Sequence, residues 1–192
     1  YINDWKNGWK MNVFGDYLHK TDRSRGNIRE WESDDAETSM DYHRKADWDL
    51  FAAKFSLSYE TEKAGTFSLG YDFSHTSGTD YIEYIRALNN GRTRNTELKN
   101  SLYLSYDYTW NNLSLGAGLR YEHIRSDLRE TNDSKSQNQT YHNFLPSVSL
   151  SYNTESLQQS LTYSIHTERP PFGVMNDNAV YTDRFTYQKG NL

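Results

Sequence analysis

The sequence lacks several features that would point to other classes of protein. It has no cysteine, which excludes a disulfide framework and thiolate metal sites. Its hydrophobic fraction is only 35%, and no run approaches the roughly 18 apolar residues of a membrane helix. The net charge of -5 and the lack of a basic stripe argue against nucleic acid as a partner. No signal peptide opens the chain, so we expect an exported form to carry further residues upstream.

Motifs of catalysis are also absent. There is no Gly-x-Ser-x-Gly, no His-Glu-x-x-His and no glycine-rich phosphate loop. The histidines are scattered, at positions 19, 43, 75, 123, 142 and 166. Isolated histidines are usually polar surface rather than metal ligands. The sequence therefore predicts a protein that is not an enzyme and holds neither a metal nor a cofactor.

Aromatic residues are abundant, whereas proline is scarce. Aromatics make up 15% of the chain, with 16 tyrosines, against only 3 prolines. Aromatic and β-branched side chains suit a pleated, half-buried surface, so this composition favours β-sheet. A low mean hydropathy is also expected of a barrel whose strands present only one face to lipid.

Apolar and polar residues alternate along several segments with the period of two that marks a half-buried strand. In the clearest of them, from Phe67 to Ser74, aromatic and aliphatic residues occupy every second position. The seven predicted strands begin near Trp9, Phe51, Phe67, Leu98, Leu113, Phe144 and Leu161. Each covers about 9–14 residues, close to the ~9–11 that cross a bilayer at a tilt. A further strand can begin after Phe185.

The predicted connections differ in length in a regular way. Short turns are expected at Glu60–Gly65, Asn111–Asn112 and Asn153–Ser156. Long polar loops are expected at Thr21–Lys45, Thr76–Asn95 and Ile124–Thr140. Because short and long connections alternate, all short turns fall on one edge of the sheet and all long loops on the other. Outer-membrane barrels have this asymmetry, with short periplasmic turns and long extracellular loops.

The two faces of the predicted sheet have different compositions. We expect membrane girdles of aromatic residues at two levels of the apolar face: Tyr59, Phe67, Tyr108, Trp110 and Tyr152 beside the short turns, and Tyr17, Phe51, Phe73 and Tyr121 at the opposite ends. The alternative is that these aromatics fill the core of a soluble sheet. The other face is rich in Ser, Gly and Thr. Its predicted lumen-facing charges are Asp72, Lys99, Asp107, Arg120 and Glu122.

The long polar segments contain the candidates for ligand binding, since function tends to lie on loops. The aromatic and basic residues that could stack on or bind a ligand are Trp31, Tyr42, Tyr81, Tyr84 and Arg92. The alternative is a solvated surface loop whose charges pair with one another.

The strand count indicates a piece of a larger barrel. Seven is odd, whereas bacterial single-chain barrels have an even number of strands. An open sheet would also leave two unpaired edges in lipid, which is not viable. The sequence thus predicts an all-β fold, an antiparallel up-and-down transmembrane β-barrel, in which residues 1–192 form seven to eight strands of one larger barrel domain without a plug.

The last fifty or so residues resemble a known family. The stretch Phe144–Tyr152, FLPSVSLSY, is similar to a strand of the outer-membrane β-barrel family found in TonB-dependent receptors. The succession continues with Leu161–Ser164, Arg169–Pro170, Tyr181, Phe185–Tyr187 and Gly190–Asn191. Pro171–Gly173 and the final Leu192 depart from the family pattern. The resemblance implies a barrel of about 22 strands that encloses a plug domain and is energised through TonB.

The resemblance further implies import of a scarce nutrient across the outer membrane of a Gram-negative cell. The expected partners are outer-membrane lipid, the remaining strands and plug of the same protein, TonB and a small nutrient ligand. Two alternatives stay open at this point. One is a surface or adhesive barrel that transports nothing, which an upstream plug would exclude. The other is a soluble β-sandwich that binds carbohydrate, which would enclose Leu102, Leu104 and Tyr106 in a core.

Overall fold

The computed structural model describes residues 2–5, 7–31, 37–85, 90–130, 136–168, 180–181 and 186–188. These residues form the strands β1 (Ile2–Asp4), β2 (Trp9–Trp31), β3 (Glu37–Thr61), β4 (Gly65–Ile85), β5 (Gly91–Trp110), β6 (Leu113–Glu130), β7 (Ser136–Asn153), β8 (Gln158–Ser164), β9 (Val180–Tyr181) and β10 (Tyr187–Gln188). Within this part of the chain, no helix is long and apolar enough to cross a membrane.

Strands β1 to β8 form one sheet in which each strand pairs antiparallel with the next in sequence. This confirms the all-β, antiparallel up-and-down architecture and all seven predicted strands. The short β1 was not predicted, because three residues give no measurable alternation. The strand expected after Phe185 is represented by β10, which pairs only with β9 in a separate two-stranded sheet; Phe185 itself lies outside the described residues.

The tight turns gather along one edge of the sheet, as predicted. Residues 62–64 and 111–112 make the turns between β3 and β4 and between β5 and β6, residues 154–157 make the turn between β7 and β8, and residues 5, 7 and 8 belong to the connection between β1 and β2. Three of the turns have a residue with a positive φ, at Gly8 (φ 88°), Gly65 (φ 79°) and Asn111 (φ 50°). Glycine adopts this region without steric cost, and asparagine tolerates it better than most residues.

The prediction of long polar loops at the opposite edge is wrong. The segment 21–45 continues β2 to Trp31 and resumes as β3 at Glu37, and 76–95 and 124–140 are divided between strands in the same way. Only residues 32–36, 86–89 and 131–135 of these segments lie outside the described residues. The three hairpins are therefore much taller than the sequence suggested.

The alternation inverts part-way up these hairpins, which explains the error. We call the outer face the one that carries Leu57, Leu69 and Leu104, which lie opposite one another on neighbouring strands. The inner face is the opposite side of the sheet, which carries the alternate residues of each strand. The lower half of the sheet extends from the turns to the cross-strand row of Tyr17, Phe51, His75 and Leu98, and the upper half lies beyond. In β3, the outer residues change from Tyr59, Leu57 and Phe55 to Asp49, Asp47 and Lys45, and the inner residues change from Ser58 and Ser56 to Ala46, Tyr42 and Met40.

The two faces of the lower half also differ in exposure. Leu102 and Leu104 on the outer face are 51% and 56% exposed, whereas Ser101 on the inner face is 1% exposed. Because the sheet is a single layer, such a difference indicates that it curves towards its inner face. The curvature is that of a barrel wall, with apolar side chains outside and polar ones inside.

A small apolar core lies on the inner face of the upper half. Met40, Ile82 and Tyr84 are buried there, and Tyr181 of β9 packs against them. The Tyr181 N–H donates to the Tyr84 hydroxyl at 3.0 Å, and the two rings meet edge-on with centroids 5.2 Å apart. Tyr181 of β9 therefore lies on the inner face, against β4.

Candidate functional site

A network of charged side chains spans β4, β5 and β6 on the inner face of the lower half. Arg120 donates to Asp72 at 2.7 Å and to Glu122 at 2.8 Å, and Lys99 pairs with the same Glu122 oxygen at 2.8 Å. The Ser101 hydroxyl approaches that oxygen at 3.5 Å. Because Glu122 is only 5% exposed, its charge is compensated by two cations rather than by solvent, as a buried carboxylate requires.

Tyr103 lies at the lower side of this network. Its ring covers Gly70 on the neighbouring strand, where a Cβ atom would collide with it. Two cations flank the ring: the Lys54 amine lies 5.6 Å and the Arg120 guanidinium 5.9 Å from its centroid. Both distances are within the range of a cation–π interaction. The aromatic ring and the ion network therefore form one continuous surface.

Two polar atoms of the inner face, Asp72 Oδ1 and Asn95 Oδ1, are buried and accept no hydrogen bond from the described residues. Asp72 Oδ1 does lie 4.0 Å from the Lys54 amine, but that distance is too long for a hydrogen bond. A buried acceptor without a donor costs about 1–3 kcal/mol. Both atoms are thus open to a donor from water, a ligand or another part of the protein.

The inner face of the upper half carries a second ion pair beside the small core. Arg44 donates to both oxygens of Asp80, at 3.0 and 2.6 Å, and Asp80 is 6% exposed. The hydrogen bonds to Asp80 raise the pKa of Arg44, and burial raises the pKa of Tyr84 above its usual value. A bidentate pair next to buried aromatic rings forms a surface that can bind a ligand with both polar and ring parts.

A comparison of the sequence with models of protein families shows which family has this fold. Residues 4–192 match the model described as the outer membrane protein beta-barrel family. The chain belongs to that family. Membership indicates the outer membrane as its location, where the apolar outer face of the lower half meets lipid. No curated protein matches the chain significantly.

The structure places all the predicted girdle residues on the outer face. Tyr59 packs against Trp9, and Phe67 against Tyr106, in tilted ring pairs with centroids 4.7 and 4.6 Å apart. At the upper level, Phe51 contacts Phe73 and Tyr121 contacts Phe144. The remaining girdle residues, Tyr17, Tyr108, Trp110 and Tyr152, share this face by register. In the outer membrane, two such rows suit the two lipid–water interfaces.

The predicted lumen-facing residues all lie on the inner face. Asp72, Lys99, Arg120 and Glu122 meet in the ion network. Asp107 lies apart from them, nearer the turns, opposite Thr66 and Gly116. The sequence missed Lys54 and Tyr103 as members of the same surface. Tyr103 is an aromatic residue in the polar phase of its strand, where alternation predicts a small or polar side chain.

The candidate ligand residues are divided between the faces and lie in strands rather than loops. Tyr42 and Tyr84 lie opposite each other on the inner face, with ring centroids 6.1 Å apart. Tyr81 and Arg92 are also opposite each other, but on the outer face. Trp31 ends β2 opposite Glu37, and its side chain lies outside the described part of the structure. Only the two inner tyrosines therefore join the upper surface beside Arg44 and Asp80.

The described residues contain no group of three or more metal-ligating side chains placed to hold an ion. Among the histidines, His123 and His142 approach each other, with ring centroids 5.0 Å apart. The Tyr121 hydroxyl hydrogen-bonds to His142 Nδ1 at 2.7 Å. The pair thus extends the outer-face aromatic row.

Proposed function

We propose that this chain is part of a TonB-dependent receptor that imports a scarce nutrient across the outer membrane of a Gram-negative bacterium. The observation that carries the proposal is the ion network of Asp72, Lys99, Arg120 and Glu122, which lies behind the lipid-facing apolar belt. Charged groups at membrane depth face a wet or protein-filled interior and mark pathways for solutes.

Two buried oxygen atoms, Asp72 Oδ1 and Asn95 Oδ1, accept no hydrogen bond from the described residues. They support the proposal that the barrel interior holds more than the side chains of its own wall. An eight-stranded barrel leaves an interior just wide enough for its own side chains, whereas 22-stranded transporters enclose a plug. Donors from a plug domain would satisfy both acceptors. The resemblance of Phe144–Tyr152 to TonB-dependent receptors agrees with this arrangement.

In the proposed mechanism, the nutrient is captured at the upper surface made by Tyr42, Tyr84, Arg44 and Asp80. Aromatic rings offer apolar area at a low entropic cost, and the ion pair provides directional hydrogen bonds. Rearrangement of the plug, driven through TonB, then opens the polar inner face to the bound nutrient.

Of the two alternatives, the soluble sandwich is disfavoured by exposure. It would enclose Leu102 and Leu104 in a core, but these side chains are 51% and 56% exposed and no described element covers them. The surface or adhesive barrel has the same wall as a receptor. Transport therefore has to be tested directly.

Growth on limiting nutrients tests the proposal. A strain without the gene is supplied with single sources of iron chelate, cobalamin, oligosaccharide or peptide at growth-limiting concentration. We expect a growth defect on one of these sources, restored by the intact gene, and the same defect after deletion of the TonB gene. Normal growth on every source, together with reduced cell adhesion, would contradict import and favour the adhesive barrel.

A further inference from the structure

Three arginines cluster on the outer face of the upper half, on β5 and β6. Arg94 lies directly opposite Arg129, and Arg125 lies four residues below Arg129 on the same strand and face. Like charges placed directly opposite each other destabilise a strand pair. The wall therefore carries an unfavourable arrangement at this point, which an anion between the two guanidinium groups would relieve.

The cluster has only one anionic side chain of its own. Asp127 accepts from Arg129 through both oxygens, at 3.2 and 2.8 Å. The hydrogen bond from Arg129 holds the pKa of Asp127 below its usual value. Arg94 and Arg125 make no side-chain hydrogen bond or ion pair within the described part of the chain. Three cations thus face a single carboxylate, which is already engaged.

The same face behaves differently two strands away. On β2 and β3, the carboxylates of the upper half have close partners: Lys45 pairs with Asp47 at 2.6 Å and His19 with Asp49 at 2.8 Å. Facing cations also occur there, since Arg23 lies opposite Lys45, but that surface supplies both Asp47 and Asp49, whereas the β5–β6 cluster has Asp127 alone.

The cluster lies just above the lipid-facing belt. Leu98, the last apolar outer residue of β5, is directly opposite Arg125, and Arg94 is four residues further along that strand. Four residues span about 13 Å along a strand, or about 9 Å of height at a tilt of ~45°. The headgroup zone on each side of the hydrocarbon core is about 5–8 Å thick. Arg125 therefore lies at its base, and the backbones of Arg94 and Arg129 lie just above it, from where their long side chains can reach down into it.

A groove separates the arginines. Arg94, Thr96, Asp127 and Arg129 line it, and its volume is about 240 Å³. This is below the ~300–1,000 Å³ of sites that enclose a drug-sized molecule. A single small anionic group fits the groove, while the rest of its molecule can extend downwards past Arg125 and Leu98 to the membrane.

We propose that Arg94, Arg125 and Arg129 bind the phosphate of a lipid headgroup in the outer leaflet. Guanidinium groups bind phosphate through paired, charge-assisted hydrogen bonds, and the Thr96 hydroxyl can add a further donor. The short turns of outer-membrane barrels lie on the periplasmic side, which places the upper half on the outer leaflet. The site depends on membership of the barrel family and not on import.

Binding of short-chain lipids to the complete protein tests this proposal. The protein is extracted from outer membranes in a neutral detergent, and its adducts are counted by native mass spectrometry. The probes are dioctanoyl phosphatidic acid, dioctanoylglycerol and inorganic phosphate. The variant removes two cations, as Arg94→Gln with Arg125→Gln. The matched control, Arg23→Gln with Arg25→Gln, removes two cations from the same face of β2.

We expect phosphatidic acid to bind more tightly than either of the other probes. The β5–β6 variant should weaken its binding at least about tenfold, because it removes charge-assisted hydrogen bonds to the phosphate, while the control changes it less than about twofold. Equal losses in both variants would show a general charge effect and overturn the site. Phosphate binding as strong as that of the lipid would overturn the assignment to a lipid. Folding of the variants is checked on gels, where the folded form in unheated samples migrates differently from the heated, unfolded form. A variant that keeps this difference is folded.

Discussion

On the inner face, three glycines lie beneath aromatic rings of the neighbouring strand. Tyr103 covers Gly70, Trp48 covers Gly78 and Tyr42 covers Gly26, each in the directly opposite register position. In each pair, a Cβ atom on the glycine would collide with the ring. The ring shields the glycine backbone and lies flat against the wall, an arrangement that strengthens sheets in designed proteins.

At the residue scale, we predict that Gly70→Ala destabilises the protein and displaces Tyr103. Added atoms in a well-packed site cost about 1–3 kcal/mol, and the displaced ring would also lose its contacts with Lys54 and Arg120. The measurement is the unfolding free energy of the complete protein in lipid vesicles. Gly15→Ala is the matched control, because a Cβ there has open space. An equal effect of the two substitutions would contradict the packing argument.

At the element scale, the inverted alternation shows which parts of the fold the sequence could reveal. The lower halves of the strands were predictable, because apolar residues such as Phe67 and Leu69 recur at every second position. The upper halves were not, since Ile82 and Tyr84 occupy the opposite phase and were counted with a polar loop. Examining the odd and the even positions of each segment separately would have revealed these upper halves as strands. The Arg44–Asp80 pair depends on the register between β3 and β4, which alternation alone does not specify.

The inversion predicts that one substitution has different costs at two heights of β4. Leu69 and Ser77 lie on the outer face of the same strand, below and above the change of phase. Leu69→Arg places a charge in the lipid belt and should cost about 2–4 kcal/mol of unfolding free energy, whereas Ser77→Arg should cost about 0–1 kcal/mol. Ser77 is also opposite Asp49, which can accept from the new guanidinium. Similar costs at the two positions, measured in lipid vesicles, would place the membrane boundary elsewhere.

At the scale of the whole molecule, the sheet has two edges. Strands β1 and β8 each have one neighbour, and they do not pair with each other in the described part of the chain. Unpaired backbone groups cost several kcal/mol each in hydrocarbon, so open sheet edges do not occur there. We therefore expect further strands on both sides of this wall. The separate contact of Tyr181 with Tyr84 does not meet this need, since it lies on the inner face and not at an edge.

Further strands on both sides of the wall predict that the protein in cells is much larger than residues 1–192 and lies in the outer membrane. An antibody raised against residues 1–192 should detect an outer-membrane band several times heavier than the 22.6 kDa of these residues, because a receptor barrel of about 22 strands and its plug need several hundred residues more. Boiling should shift the band, as closed barrels resist detergent until heated. A band near 22.6 kDa in the soluble fraction would contradict the larger barrel. The eight strands of residues 1–192 would then be the whole sheet, and the protein would lie outside the membrane. A heavy band that stays in the outer membrane would instead direct the search for the plug to the remaining sequence of the same protein.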